Sequence, residues 1–426
     1  MSRVPGVPAA ILILLLAPCL LGAQVEPNDV TVAPRDGLTV SLVTIGQGDL
    51  VWERFGHNAL LFQNQVTGAE VAYHWGIFNF FSEDFIPRLI EGTMLYGMGP
   101  SDFRPSLQSY REDGRPVWVQ ELALTPTQER ELLALVEENY LPENRHYRYD
   151  YYRDNCSTRL RDALDHVLDG RIEDRFATDT TAFSFRWHTR RILQEMPAYY
   201  LGIQLVLGPM ADRPITLWEE MFLPPTLQEH IGELQVPDGL GGYRSLVVSE
   251  GEILASDRGP PPAAPPFALP LFLLVGLLWG GGIFALGRDG EGMPLARRVG
   301  LLVLGGGWSL VAALAGALLL GAWIFTDHEF WYANWNLLQV NPLFLPLPIA
   351  FLVLLSGKGF PRWASRLTVA LGLLSLLGLL LELLPGLGQR NAEFLALALP
   401  VNLGLLLSVK RLEGSEVRER REGTRS

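Results

Sequence analysis

The chain has 426 residues, with 46 acidic residues against 34 Lys and Arg, so its formal net charge at pH 7 is −12. This negative balance, and a first half without a basic stripe, argue against a nucleic-acid partner. The two cysteines are too few for a disulfide framework.

The first 23 residues have the pattern of a signal peptide. Arg3 precedes the apolar run 9–16, and the Leu-Gly-Ala sequence that follows suits cleavage after residue 23. The apolar run is too short to span a bilayer. We therefore expect residues 1–23 to be removed on export, and Cys19 to be lost with them.

Residues 24–257 mix polar and apolar positions and predict one soluble domain, long enough for its own core. Thr125, followed by Pro126 and Gln128, has the pattern of a capped helix start. Four segments have the alternating, β-branched pattern of strands: 38–45, 58–62, 71–75 and 117–122. Strands lead and helices follow, so the expected class is α+β.

Cys156 is the one cysteine left after the signal peptide, and it begins a predicted amphipathic helix. Asp154 or Asn155 is the expected N-cap. The helix dipole and three arginines nearby in sequence are expected to hold the pKa of the thiol below its ordinary value of about 8.5. Cys156 is therefore a candidate nucleophile, the alternative being a small buried hydrophobic residue.

A thiolate that transfers acyl groups needs a proton shuttle, which is normally a histidine. His57 follows a glycine at the start of an apolar strand, which makes it the best-placed candidate. His74 is a candidate third member that orients the ring, and Asn79 is its rival. No two histidines have a metal-ligand spacing such as i, i+4, so we expect no metal and no cofactor.

Polar residues beside the cysteine have two readings. Tyr149, Asp150 and Arg159 either position a substrate or hold the helix that carries Cys156, and Asn155 supports the cysteine directly. The structural role is favoured for Arg159.

The second half of the chain is strongly apolar. A proline-rich linker at 258–266 separates it from the soluble domain, and a domain of five transmembrane helices is predicted over 267–409. The predicted spans are 267–286, 299–325, 339–356, 367–384 and 392–409. Three prolines in the third span predict a kinked or partly re-entrant segment.

Positive residues set the orientation of these spans. They follow the first, third and fifth spans, which predicts a soluble domain outside the cytoplasmic membrane and a basic cytoplasmic tail at 410–426. The outer loop 326–341 contains His328 and Asn334 among several aromatic residues. The aromatic residues are explained by a position at the membrane–water interface. For His328 and Asn334, the more specific hypothesis is contact with a lipid head group.

Several of these motifs together resemble a known family. Gly-Gln-Gly at 46–48, Glu-Arg-Phe-Gly-His at 53–57, Trp-Gly-Ile-Phe-Asn-Phe at 75–80 and Asp-Asn-Cys-Ser-Thr-Arg-Leu-Arg-Asp at 154–162 are similar to the periplasmic domain of Lnb-type lipoprotein N-acyltransferases. That family combines a papain-like domain, of the circularly permuted NlpC/P60-like kind, with a membrane domain of five helices. The resemblance covers nearly the whole mature chain.

The resemblance implies a reaction. Cys156 would take an acyl chain from a phospholipid as a thioester and pass it to the α-amine of a bacterial lipoprotein, with His57 as the base. His74 and Asn79 depart from the family pattern as we expect it, which leaves the third member open. The implied partners are the phospholipid donor, the lipoprotein acceptor and the membrane.

Two other classes of function stay open. A cysteine peptidase or amidase of the NlpC/P60 type would cleave soluble peptidoglycan peptides without needing residues 267–426. A non-enzymatic membrane sensor would tolerate a change of Cys156 to Ser, apart from any effect on stability.

Overall fold

The computed structural model describes residues 37–287, 293–384 and 388–423, and the predicted signal peptide lies outside them. The chain divides into two compact units. The first runs up to Tyr199 and from Arg213 to Pro265, and the second comprises Tyr200–Asp212 and the residues from Pro266 onward. The boundary at Pro265 falls inside the predicted linker, whereas Tyr200–Asp212 belongs to the second unit although the sequence grouped it with the soluble domain.

The described part of the first unit contains an antiparallel sheet of seven strands in the order β6-β4-β3-β2-β1-β5-β9, and a separate pair, β7-β8. The strands are β1 (Leu38–Ile45), β2 (His57–Asn64), β3 (Glu70–Ile77), β4 (Leu95–Asp102), β5 (Val117–Leu122), β6 (His146–Arg148), β7 (Gln235–Pro237), β8 (Tyr243–Ser245) and β9 (Val247–Leu254). The four predicted strands are all present, and β1 and β5 have the predicted bounds.

The helices of residues 85–233, several of which pack on the sheet, confirm the α+β class. They are α1 (Phe85–Glu91), α2 (Phe103–Glu112), α3 (Pro126–Tyr140), α4 (Cys156–Val167), α5 (Arg171–Phe176), α6 (Phe185–Leu193), α7 (Pro197–Val206), α8 (Leu217–Glu220) and α9 (Pro224–Glu233). Most of α7 lies in the second unit. As predicted, α3 begins with a capping box in which Thr125 Oγ1 accepts from the N–H of Gln128. The main core lies between β1–β3 and the apolar faces of α3, α4 and α9.

The second unit is helical. Its helices are α10 (Leu269–Leu286), α11 (Leu295–Leu301), α12 (Gly307–Phe325), α13 (Leu347–Leu355), α14 (Arg362–Glu382) and α15 (Ala392–Gly423). A π-helical stretch, Leu302–Gly306, joins α11 to α12. Helix α15 continues to Gly423, so the segment predicted as a separate tail at 410–426 begins as part of the last helix.

Four helical stretches of the described residues are long and apolar enough to cross a membrane: Leu269–Leu286, Leu295–Phe325, Arg362–Glu382 and Ala392–Glu413. A bent pair, Glu329–Leu338 and Pro342–Leu355, makes a fifth if it counts as one span, with 42° between its halves. The break lies just before Pro342, as the proline content of the third predicted span indicated.

Small residues bring α10 and α15 together. A Cβ atom on Gly276 would lie 2.5 Å from the carbonyl oxygen of Leu397, and one on Gly280 would lie 2.1 Å from that of Pro400. The two glycines are four residues apart, in the Gly-x-x-x-Gly pattern that lets membrane helices approach at backbone distance. Any side chain at either position would push the two helices apart.

Candidate active site

Cys156 is the first residue of α4, and Asn155 is its N-cap. The side-chain oxygen of Asn155 accepts from the N–H groups of Ser157 (2.9 Å) and Thr158 (3.0 Å). Its amide nitrogen donates to the carbonyls of Tyr151 and Phe222, both at 3.0 Å. Because all these bonds are made inside the protein, Asn155 acts by fixing the start of the helix that carries Cys156.

His57 is the first residue of β2, and the residue after it ties this strand to α4. The Ser157 hydroxyl lies 3.0 Å from Oδ1 of Asn58 and 2.7 Å from the carbonyl of Met221, and it shares its hydrogen between them. Asn58 in turn donates to Oγ1 of Thr44 on β1 at 2.9 Å. Asn58 and Ser157, which follow His57 and Cys156 in the chain, therefore fix the start of β2 against the start of α4.

A glycine on β3 lies against the cysteine. Gly76 has φ of +92°, at an irregularity in the β3–β4 pairing, and a Cβ atom there would lie 3.5 Å from Cβ of Cys156. A non-glycine residue would be strained in this backbone conformation. Gly76 therefore allows β3 to approach the first turn of α4 closely.

Burial raises the pKa of the Cys156 thiol, and this outweighs the lowering by the N–H groups of Asn58 and Ser157 and by the charge of Arg115. The expected lowering of this pKa is therefore wrong. Two of the arginines behind that expectation are compensated, because Arg159 pairs with Asp154 and Arg161 pairs with Asp162. The third, Arg153, is exposed to solvent, which screens its charge.

This environment predicts how fast Cys156 reacts with iodoacetamide at different pH. Because the raised pKa keeps the thiol protonated, the alkylation rate of the full-length protein is expected to be low at pH 7 and still rising at pH 9. Mass spectrometry of the peptide carrying Cys156 measures the rate, and an unstructured cysteine peptide in the same tube is the control. A plateau below pH 8 would contradict the raised pKa of the thiol.

The two histidine candidates meet. Nε2 of His57 and Nδ1 of His74 are 3.0 Å apart, and Nε2 of His74 lies 2.9 Å from Oγ of Ser101. Burial lowers the pKa of His74 to about 4. Burial, followed by His74 and Arg115, lowers the pKa of His57 well below its usual value. Both imidazoles are therefore neutral at neutral pH, the form in which a ring nitrogen can accept a proton.

No hydrogen bond between described residues joins the thiol of Cys156 to the imidazole of His57, but the two groups share neighbours. The N–H of Asn58 approaches the sulfur, and the charge of Arg115 acts on both groups. Catalytic hydrogen bonds often tighten only when substrate binds, so this arrangement is compatible with His57 acting as a base.

Asn79, the rival of His74, lies elsewhere. It is exposed in the turn after β3, where its side-chain oxygen accepts from the N–H of Phe81 at 2.8 Å. His74 is thus the one of the two that the structure brings to His57. The assignment of a third catalytic member remains a prediction.

Tyr149, Asp150 and Arg159 all surround the start of α4. Tyr149 stacks on Tyr96 at 4.0 Å and packs with Cys156 on the same core. Asp150 accepts from the N–H groups of Tyr152 and Arg153, which closes the turn before the helix. Arg159 pairs with Asp154 and lies over the ring of Tyr147. Asp150 and Arg159 are thus engaged within the protein, whereas Tyr149 contributes an aromatic ring to the core on which Cys156 packs.

His328 and Asn334 lie in the second unit. His328 is buried and stacks on Trp331 with ring centres 4.3 Å apart. The amide nitrogen of Asn334 donates to the carbonyls of Leu205 (2.9 Å) and Val206 (2.8 Å), at the end of α7. These carbonyls have no partner within their own helix, so Asn334 caps it. Contact of either residue with a lipid head group remains a prediction.

Within the described ranges, no group of three or more His, Cys, Asp or Glu residues is arranged to hold a metal ion. The candidate site comprises the thiol, two neutral imidazoles and the hydrogen-bonding groups around them.

Two family models match the chain. The model of the Lnb N-terminal periplasmic domain matches residues 31–195, and that of the Lnb transmembrane domain matches residues 298–410. The chain belongs to the Lnb family. It is a multi-pass membrane protein whose N-terminal domain is periplasmic. No curated protein and no solved structure matches this Lnb-family chain.

Three contributors to the site were missed in the sequence. Asn58 offered a signal, since it is a polar residue inside an apolar strand, next to the histidine. Arg115 is only 6% exposed, and its Nε donates to the carbonyl of Gly46. In the sequence it is a single arginine between a glycine and a proline, which does not indicate a functional residue. Ser101 lies on β4, a strand with two glycines and a proline that the sequence did not reveal.

Proposed function

We propose that this Lnb-family protein is a thiol acyltransferase. It moves a fatty acyl chain from a phospholipid through a thioester on Cys156 to the α-amine of a bacterial lipoprotein. The observation that carries this proposal is a row of aromatic rings that begins on the core against which Cys156 packs, in a chain that also has a membrane domain.

The row begins at Tyr149, which packs on the same core as Cys156. Tyr149 stacks on Tyr96 at 4.0 Å, Tyr96 on Phe78 at 4.9 Å, and Phe78 meets Phe80 at 4.5 Å. Trp52 continues it, 5.1 Å from Phe80. These five residues are called the aromatic row below. Burial raises the pKa of Tyr149 well above its usual value, and Tyr96 and Cys156 add to this effect, so Tyr149 lies within electrostatic range of the cysteine.

Exposed apolar side chains follow Phe80 in the chain. The side chain of Phe81 is 75% exposed and that of Ile86 is 42% exposed. None of the residues of α1 is buried. We propose that an acyl chain lies on this apolar segment. An acyl chain on it gains about 0.8 kcal/mol for each CH₂ removed from water, whereas a polar cell-wall peptide gains little.

The residues support two balanced steps. In the first, His57 accepts the thiol proton, the sulfur attacks the ester carbonyl of the phospholipid, and the lysophospholipid leaves as an alcohol that takes this proton. In the second, the lipoprotein amine attacks the thioester and loses a proton to His57, which returns it to the departing sulfur. The apolar surroundings limit the access of water, so the thioester survives until the amine arrives.

The fold supports this chemistry. A cysteine at the start of a helix that packs on an antiparallel sheet, with a histidine on a neighbouring strand, is the arrangement of papain-like enzymes. His57 precedes Cys156 in the chain, as in the circularly permuted NlpC/P60-like members. We propose that the periplasmic domain is a papain-like domain of the circularly permuted, NlpC/P60-like kind.

The orientation of the membrane domain is part of the proposal. Arg297, Arg298 and Lys358 lie in segments that follow odd-numbered spans, as do Lys410 and Arg411. The positive-inside rule then puts the basic end of the chain in the cytoplasm. The phospholipid donor and the lipoprotein acceptor reach the enzyme from the same bilayer.

A transfer assay tests the function. The full-length protein in phospholipid vesicles is incubated with a diacylated lipopeptide that bears a free α-amine. Mass spectrometry is expected to show the lipopeptide heavier by one acyl chain with the wild type, and unmodified with Cys156→Ala. Cleavage of soluble muropeptides without acyl transfer would favour the hydrolase instead. Neither activity, with no difference between the two proteins, would favour the sensor.

A further inference from the structure

A chain of four side-chain contacts leads from His57 to a backbone carbonyl. His57 Nε2 contacts His74 Nδ1 (3.0 Å), and His74 Nε2 contacts Oγ of Ser101 (2.9 Å). Ser101 Oγ contacts Oγ of Ser106 (2.9 Å), and the Ser106 hydroxyl donates to the carbonyl of Asp102 (2.9 Å). The chain crosses β2, β3 and β4 and ends in the first turn of α2.

The carbonyl fixes the direction of every bond in this chain. A carbonyl oxygen only accepts, so the single hydroxyl hydrogen of Ser106 is used on Asp102. Ser106 must then accept from Ser101, which uses the single hydrogen of Ser101. Ser101 in turn must accept, so the proton of the neutral His74 ring lies on Nε2 and its Nδ1 is an acceptor.

The last link concerns His57. Since Nδ1 of His74 accepts, Nε2 of His57 carries the proton that is donated to it. A neutral imidazole has one N–H, which leaves Nδ1 of His57 with a free lone pair. No hydrogen bond to this nitrogen is made by any residue in the described part of the chain. Nδ1 is therefore the atom available to take a proton from the thiol.

We propose that Ser101 is a positioning residue that sets the tautomer of both histidines and thereby makes Nδ1 of His57 the base. The side chain of Ser101 is 6% exposed, on β4 opposite Ala72 of β3. Its hydroxyl is the one side-chain group that meets Nε2 of His74 among the described residues. The catalytic consequence rests on the proposed acyl transfer, whereas the tautomer itself does not.

Ring-nitrogen NMR of the full-length protein, labelled with ¹⁵N-histidine in detergent micelles at pH 7.5, tests the tautomer. Variants His57→Gln and His74→Gln assign the signals. In the wild type, both rings are expected to show a protonated Nε2 and an unprotonated Nδ1. A protonated Nδ1 on His57, or an equal mixture of tautomers, would overturn the proposal even if no variant of Ser101 folds.

Two substitutions test Ser101 itself. In Ser101→Ala, Nε2 of His74 loses its hydrogen-bond acceptor, so the Nδ1-protonated form of the histidines is expected to appear. The transfer rate is expected to fall at least about tenfold, with the lipid KM unchanged. Ser101→Thr keeps the hydroxyl and is expected to restore both. An unchanged tautomer in Ser101→Ala would refute the positioning role. If the tautomers follow the prediction but the wild type transfers no acyl chain, the proposed function fails and this inference stands.

Discussion

Replacing His57 by alanine is expected to lower the rate of acyl transfer by about 10² to 10⁴, the range that a general base supplies. The raised pKa of Cys156 makes the transfer rate depend strongly on His57, because the thiol is protonated at neutral pH and needs a base to become a nucleophile. The lowered pKa of His57 keeps its imidazole neutral and able to serve. The transfer assay with lipopeptide measures the rate.

A matched control for His57→Ala is His166→Ala. His166 is exposed, on the same helix as Cys156, where it faces Glu131 at 3.7 Å. This control is expected to keep the wild-type rate, and both variants are expected to keep the thermal unfolding midpoint within a few degrees. A His57→Ala protein that transfers at the wild-type rate would exclude His57 as the base.

Replacing Asn58 by alanine is expected to lower the transfer rate about 10²-fold, although Asn58 does no chemistry. Its side chain connects Ser157 to Thr44, and so holds the helix of Cys156 against the strand of His57. A misplacement of reacting groups by about 1 Å costs a factor of this size. The loss also leaves buried polar groups unpaired, which costs about 1–3 kcal/mol in the free energy of unfolding.

A double-mutant cycle separates these effects. Asn58 and Ser157 share one hydrogen bond, so Asn58→Ala with Ser157→Ala is expected to lose less than the sum of the two single changes. Gln63→Ala, on the same strand and joined to Glu70 at the surface, is the control and is expected to change neither rate nor stability appreciably. Strict additivity of the two losses would show that the bond does not couple strand to helix.

The sequence was most informative where local pattern decides structure. The strands 38–45 and 117–122, the capped start at Thr125 and the helix that begins at Cys156 were all predictable, because alternation and capping need only neighbouring residues. The break near Pro342 followed from proline chemistry alone.

Long-range packing decided what the sequence did not reveal. The pKa of Cys156 was predicted from charges close in sequence, but burial dominates it, and Arg159 and Arg161 are paired. Strand β4 contains Gly97, Gly99 and Pro100, and because glycine and proline are rare in strands, its sequence does not predict one. The hydroxyl that meets His74 therefore could not be found before the sheet was known. The capping of α7 by Asn334 depends on residues about 130 positions apart, so it was equally invisible.

The intact mass of the full-length protein after incubation with phospholipid vesicles shows whether Cys156 carries an acyl chain. We predict an added mass of one fatty acyl chain that hydroxylamine removes, that is absent from Cys156→Ala and that is lost from the wild type when the lipopeptide is added. Acyl transfer to the lipopeptide without any such adduct, or an adduct that persists in Cys156→Ala, would exclude Cys156 as the acyl carrier.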